Sequence, residues 1–205
     1  MKKWVDYSQK YGLGYMLSNG ACGVYFNDST KIILDPSGEM FDYLERRVSD
    51  KQEIIQTHSF TNYPTEIHKK VTLLQHFKSY LEGDGKKPIN APIKKENQFF
   101  KEDNATSSTR NQRNVSEIVY VKKWMRTKYA VMFRLSNKIV QVNFQDHTEI
   151  ILSSETKMVT YVNKQGERKT YRLSQAIDSG DLEMQKRLKY TKDILTQMLS
   201  SGSPR

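Results

Sequence analysis

Residues 17–34 read Leu-Ser-Asn-Gly-Ala-Cys-Gly-Val-Tyr-Phe-Asn-Asp-Ser-Thr-Lys-Ile-Ile-Leu, and residues 135–152 read Leu-Ser-Asn-Lys-Ile-Val-Gln-Val-Asn-Phe-Gln-Asp-His-Thr-Glu-Ile-Ile-Leu. Laid one on the other without a gap, 10 of the 18 positions are identical, where average residue usage gives about one by chance. Tyr43 and Tyr161 keep the same offset of 118. The chain holds two copies of one unit, and so two copies of one fold.

Within each copy, short β-branched and aromatic segments (Gly23–Phe26, Thr30–Leu34, Ile139–Phe144, Thr148–Leu152, Met158–Val162) alternate with Ser-Asn, Asn-Asp or Gln-Asp turn signals, the pattern of an antiparallel meander. Ser18-Asn19 and Ser136-Asn137 mark hairpin turns. A helix follows the strands in each copy. Ile67, Val71, Leu74 and Leu81 share one helical face over 66–81, and Met184, Leu188, Leu195 and Leu199 form the expected face of a second helix near the end, at an offset of about 117. The expected class is α+β, with boundaries at 1–82 for the first copy and its N-terminal segment, 83–117 for a linker, and 118–205 for the second copy. The linker assignment rests on composition: 7 apolar side chains among 35 residues cannot offset the entropy of ordering them.

The 205 residues carry a formal charge of +10, of which +8 falls in 118–205 and none in 1–82. One half is therefore the expected side for an anionic partner. Nucleic acid is disfavoured, because the basic residues are not interleaved with aromatics along a groove. No apolar run approaches a membrane span, and Asp6 interrupts the start before a secretory signal can form. The single cysteine, Cys22, and four scattered histidines supply no structural metal site. Gly12-Leu13-Gly14 is half a glycine-rich loop without its partners, and neither a Walker loop nor His-Glu-x-x-His occurs. The expectation is a binding module with no catalytic residues, cofactor or metal.

Trp4-Val5-Asp6-Tyr7-Ser8-x-Lys10-Tyr11-Gly12-Leu13-Gly14-Tyr15, Phe26-Asn27-Asp28-Ser29-Thr30, Lys69-Lys70-Val71-Thr72-Leu73-Leu74 and Asn143-Phe144-Gln145-Asp146-His147-Thr148 closely resemble the polo-box domain of polo-like kinases. The resemblance covers both copies and nearly everything outside the linker. It implies two polo boxes, each a six-stranded antiparallel sheet with a helix, packed as a sandwich. It also implies the regulatory part of a mitotic Ser/Thr kinase, working with its own kinase domain inside the cell, in cytoplasm and nucleus and at the centrosome or spindle pole.

In that family a cleft between the boxes binds phosphoserine or phosphothreonine preceded by serine and often followed by proline. By position, the resemblance puts Trp4 over the preceding serine, the backbone of Asp6 and the side chain of Asn143 on the peptide, and His147 on the phosphate. An imidazole N–H suits that last role, donating to phosphate oxygens and doing so better when protonated. Trp4 could instead be packing, and Trp124 reads as core. The family also has a secondary hydrophobic groove near the helix, where Phe77 and Tyr80 fall, although helical periodicity makes both core residues.

Two departures stand out. The family's histidine is followed two residues later by a lysine, and here that position is Glu149, a carboxylate that repels a group of about −1.5 to −2 charge. Arg126, Lys123 and Lys128 are the candidates to replace the missing charge. Glu82-Gly83-Asp84-Gly85 also stands where the family often has an aliphatic pair. Two functions follow from this sequence: binding of phosphorylated Ser/Thr proteins, or a phosphate-independent interaction or self-association module in which phosphate recognition has weakened.

Overall fold

The computed structural model describes residues 1–83 and 118–200. The stretch read as a linker lies outside the described residues, apart from Gly83 at its start. The chain divides into two compact units between Val115 and Ser116.

In the first unit six strands, β1 (Lys3–Tyr7), β2 (Gly12–Met16), β3 (Cys22–Phe26), β4 (Lys31–Leu34), β5 (Met40–Arg46) and β6 (Glu53–Ser59), form an antiparallel meander in sequence order. A 3-10 turn over Thr65–Ile67 then leads into helix α1 (His68–Glu82). Alternation sends Cys22, Val24, Ile32, Leu34, Phe41 and Tyr43 to one face of the sheet, where Val71, Leu74, Phe77 and Leu81 of α1 cover them. Gly12-Leu13-Gly14 is thus strand, not loop, and Gly14 has a packing role. A Cβ there would lie 2.2 Å from Cδ1 of Phe77, so only glycine lets the ring settle on the sheet.

The second unit repeats the meander with β7 (Val121–Arg126), β8 (Ala130–Leu135), β9 (Ile139–Phe144), β10 (Glu149–Ser153), β11 (Met158–Val162) and β12 (Arg168–Arg172), followed by α2 (Leu173–Ala176) and α3 (Leu182–Ser200). The registers match as well as the order. Val24 pairs with Ile32 as Val142 pairs with Ile150, and Gly12 with Phe26 as Ala130 with Phe144. The first strands follow a different offset: Trp4 opposite Tyr15 corresponds to Trp124 opposite Phe133, because four residues separate Tyr7 from its partner Gly12 while two separate Thr127 from Ala130, to which it is hydrogen-bonded. Trp124 is half-buried rather than core.

The apolar face of α3 is rotated from the one expected from the sequence. Met184, Thr191, Ile194 and Met198 are buried, Leu188 and Leu195 are partly buried, and Leu199 is exposed. Thr191 tolerates full burial because its hydroxyl donates to the Arg187 carbonyl at 2.8 Å.

Each helix end is also tied to its unit's first strand. Lys3 Nζ donates to the Leu81 carbonyl at 3.0 Å, and Lys123 Nζ to the Met198 carbonyl. A cation among the unpaired carbonyls of a last helical turn is favourably placed.

Candidate functional site

The hairpin joining β9 and β10 carries His147. Phe144 N–H donates to the Thr148 carbonyl at 2.9 Å and His147 N–H to the Phe144 carbonyl at 3.1 Å, leaving His147 exposed at the tip with a φ of 66°. Its equivalent, Ser29, has a φ of 68° in the same hydrogen-bonded turn, closed by Phe26 and Thr30. Asp146 braces this conformation: its Oδ1 accepts from the Thr148 N–H at 3.2 Å and the Thr148 hydroxyl at 2.6 Å, while Oδ2 pairs with Arg187 of α3. Desolvation alone would raise the Asp146 carboxyl, but the Thr148 and Arg187 contacts outweigh it and hold the group down to about 2.

Asn143, Glu149 and Gln141 converge beside this hairpin. Asn143 and Glu149 are register partners on neighbouring strands. Glu149 accepts from Asn143 Nδ2 at 3.4 Å and Gln141 Nε2 at 3.5 Å, and Gln141 Nε2 also donates to Asn143 Oδ1 at 3.0 Å. Two amides thus face one carboxylate through long bonds. Lys31, the repeat counterpart of Glu149, instead pairs with Glu53 at 2.5 Å.

The three candidate cations separate. Arg126 shares a cross-strand row with Asn143 and Glu149 through Val131, two strands and about 10 Å from Asn143. Lys123 directs its ammonium to the end of α3, and Lys128 lies over the Tyr129 ring at 5.6 Å.

In the first unit Trp4 and Asp6 lie on β1, an edge strand. Trp4 is half-buried. The Asp6 carboxylate is occupied locally, accepting from the Ser8 N–H at 3.1 Å and the Ser8 hydroxyl at 2.6 Å. Phe77 is fully buried, and Tyr80 is partly buried against the same core. Their burial follows the helical periodicity of α1.

Sequence reasoning missed Gln141 and Arg187. A signal for Arg187 did exist: the helix offset of 117 sets it on Lys70, and an offset of 118 sets Asp146 and Thr148 on Asp28 and Thr30. A cation facing an Asp-x-Thr turn in both copies is a pattern to look for. Among the described residues no cluster of His, Cys, Asp and Glu could hold a metal, and no helix is long and apolar enough to cross a membrane.

This duplicated sheet-and-helix unit is that of a tandem polo-box domain. Residues 9–71 and 127–188 match the family model described as the POLO box duplicated region. The chain is 49% identical over 162 residues to a probable serine/threonine-protein kinase CCRP1 of Zea mays, covering 79% of this chain and 23% of that protein. It is 35% identical over 208 residues to the serine/threonine-protein kinase PLK1 of Xenopus laevis, covering 99% and 31% respectively. Among solved structures, the polo-box domain of Cdc5 from budding yeast matches with a TM-score of 0.71 at 26% identity, over 96% of this chain and 75% of that one. The same domain in complex with an Spc72 phosphopeptide matches with a TM-score of 0.71 at 26% identity, over 96% and 68%. The chain belongs to the polo-box family, and it spans less than a third of the length of these two kinase relatives.

Proposed function

We propose that this chain is the phosphopeptide-binding, targeting part of a polo-like Ser/Thr kinase, docking its kinase domain inside the cell on proteins that carry Ser-(phosphoSer/phosphoThr)-Pro motifs. His147 contacts the phosphate, Asn143 and the backbone of Asp6 hold the peptide, and Trp4 packs on the serine before the phosphorylated residue. The observation that carries this reading is the presentation of His147: an exposed imidazole at the tip of a hairpin whose two flanking side chains are locked, in the copy over 118–205 that holds +8 of the charge. The family resemblance of Trp4, Asp6, Asn143 and His147 supports it, as does the likeness to a Cdc5 domain solved with a phosphopeptide.

Glu149 favours a second reading, binding of a partner without phosphate, since it puts a carboxylate two residues from His147. The Cdc5 domain has also been solved with the Dbf4 polo-interacting region. Calorimetric titration with a Ser-phosphoThr-Pro peptide and its unphosphorylated twin separates the two. The first reading requires tighter binding of the phosphorylated peptide, and equal affinities would overturn it.

A further inference from the structure

We infer that Arg187 is the positioning residue that presents His147 to a phosphate, an inference that rests on the phosphopeptide reading above. His147 sits at a φ of 66°, in the left-handed region that favours glycine, so the contacts that hold this turn also set how the imidazole is presented. The hairpin's own bonds are reinforced from outside it. Arg187 Nε donates to Thr148 Oγ1 at 2.6 Å, its Nη2 pairs with Asp146 Oδ2, and its guanidinium lies 5.7 Å from the Phe144 ring and 5.9 Å from the Tyr161 ring. Three of the hairpin residues it touches, Phe144, Asp146 and Thr148, bracket His147.

Arg187 is itself fixed from its own helix. Its Nη1 donates to Glu183 Oε2 at 2.6 Å and to the Glu183 carbonyl at 3.1 Å. With its side chain 13% exposed, it has little freedom to swing away. The clip therefore connects α3 to the tip of the β9–β10 hairpin.

The first unit contains the same clip in a simpler form. Lys70 Nζ donates to Asp28 Oδ2 and Thr30 Oγ1, both at 2.6 Å, and to the Tyr43 hydroxyl at 3.2 Å, around a turn whose tip residue is Ser29. A lysine is a point charge and can draw the two side chains together. An arginine fork bonds them through different nitrogens and fixes their orientation as well. The unit whose tip is a histidine is the one that carries the fork.

The test uses the full 205-residue chain, a Ser-phosphoThr-Pro peptide and its unphosphorylated twin, with affinity and melting temperature measured on each variant. Arg187→Ala should weaken the phosphorylated peptide about tenfold and leave the plain peptide unchanged. Added to His147→Ala, it should cause no further loss, because it acts through that side chain. Arg187→Lys should fall between wild type and Arg187→Ala. Lys70→Ala removes the equivalent clip from the other unit and should lower the melting temperature without touching the phosphate preference. In NMR spectra the His147 amide and ring signals should move in Arg187→Ala and stay in place in Lys70→Ala.

A wild type that prefers phosphate together with an Arg187→Ala variant that keeps the preference overturns the inference alone. Fully additive losses for Arg187→Ala and His147→Ala do the same, since Arg187 would then act directly. A wild type without any phosphate preference overturns the phosphopeptide reading, and this inference with it.

Discussion

Replacing Glu149 by lysine should tighten phosphopeptide binding, and the structure allows the size of the effect to be worked out. What Glu149 loses is small: two hydrogen bonds from Asn143 and Gln141 at 3.4 and 3.5 Å, at the limit where such bonds contribute. A lysine fits this register position, since Lys31 occupies its counterpart between Tyr25 and Leu44 as Glu149 sits between Asn143 and Val162. On the binding side, a carboxylate about 5 Å from a phosphate costs on the order of 1 kcal/mol at the dielectric of bulk water. A charge-assisted bond from the new ammonium contributes about another 1 kcal/mol. The expected gain is about thirtyfold in affinity for the phosphorylated peptide, with the plain peptide and the melting temperature little changed. Calorimetry on wild type and Glu149→Lys with both peptides measures it. If neither protein distinguishes the peptides, Glu149 does not face the phosphate and the electrostatic reasoning fails.

Four further outcomes are expected. Gly14→Ala should destabilise the first unit by about 1–3 kcal/mol through overpacking against Phe77; an unchanged melting temperature would show that the ring moves freely. Trp4→Ala should weaken peptide binding by roughly 2 kcal/mol as a recognition anchor, whereas a lower melting temperature with unchanged affinity would assign it to packing. Asp146 lies at about 2 in the folded chain against an ordinary 3.8; the folded value being the lower, its contribution is complete above about pH 5 and is lost as pH falls toward 2. For a carboxylate 33% exposed, solvent screening reduces this to about 1 kcal/mol, and urea unfolding of wild type and Asp146→Asn from pH 5 to 2 should converge by that amount. Burial pushes the Cys22 thiol up to about 12, so a thiol reagent at pH 8 should label it only as fast as the first unit opens; rapid labelling of the folded chain would contradict its burial.

The repeat made the sheets legible. An ungapped match over residues 17–34 and 135–152 reflects a register kept residue for residue across β3, β4, β9 and β10, so the sequence alignment and the hydrogen-bond ladder carry the same information. The first strands escaped that comparison because the shorter β7–β8 turn displaces β7 by two residues, hiding the equivalence of Trp4 and Trp124. The α3 face was misread because a buried Thr191 stands where an apolar residue was sought; its hydroxyl satisfies itself on the helix backbone, which no hydropathy pattern shows. His147 and Asn143 could be picked out by resemblance, but the fate of the nearby cations could not. Whether Lys123 serves a ligand or a helix end depends on where α3 stops relative to β7, a distance set by tertiary packing alone.

The lysine contacts that join the first strand to the last helical turn span 78 residues in one unit and 75 in the other. Each unit therefore brings its two ends together, as a bead does the ends of the thread passing through it. A segment of gene encoding such a bead can be copied in tandem without either copy being forced to open, because the chain leaves each unit close to where it entered. The same closure should let residues be added or removed between the copies at little cost to either sheet.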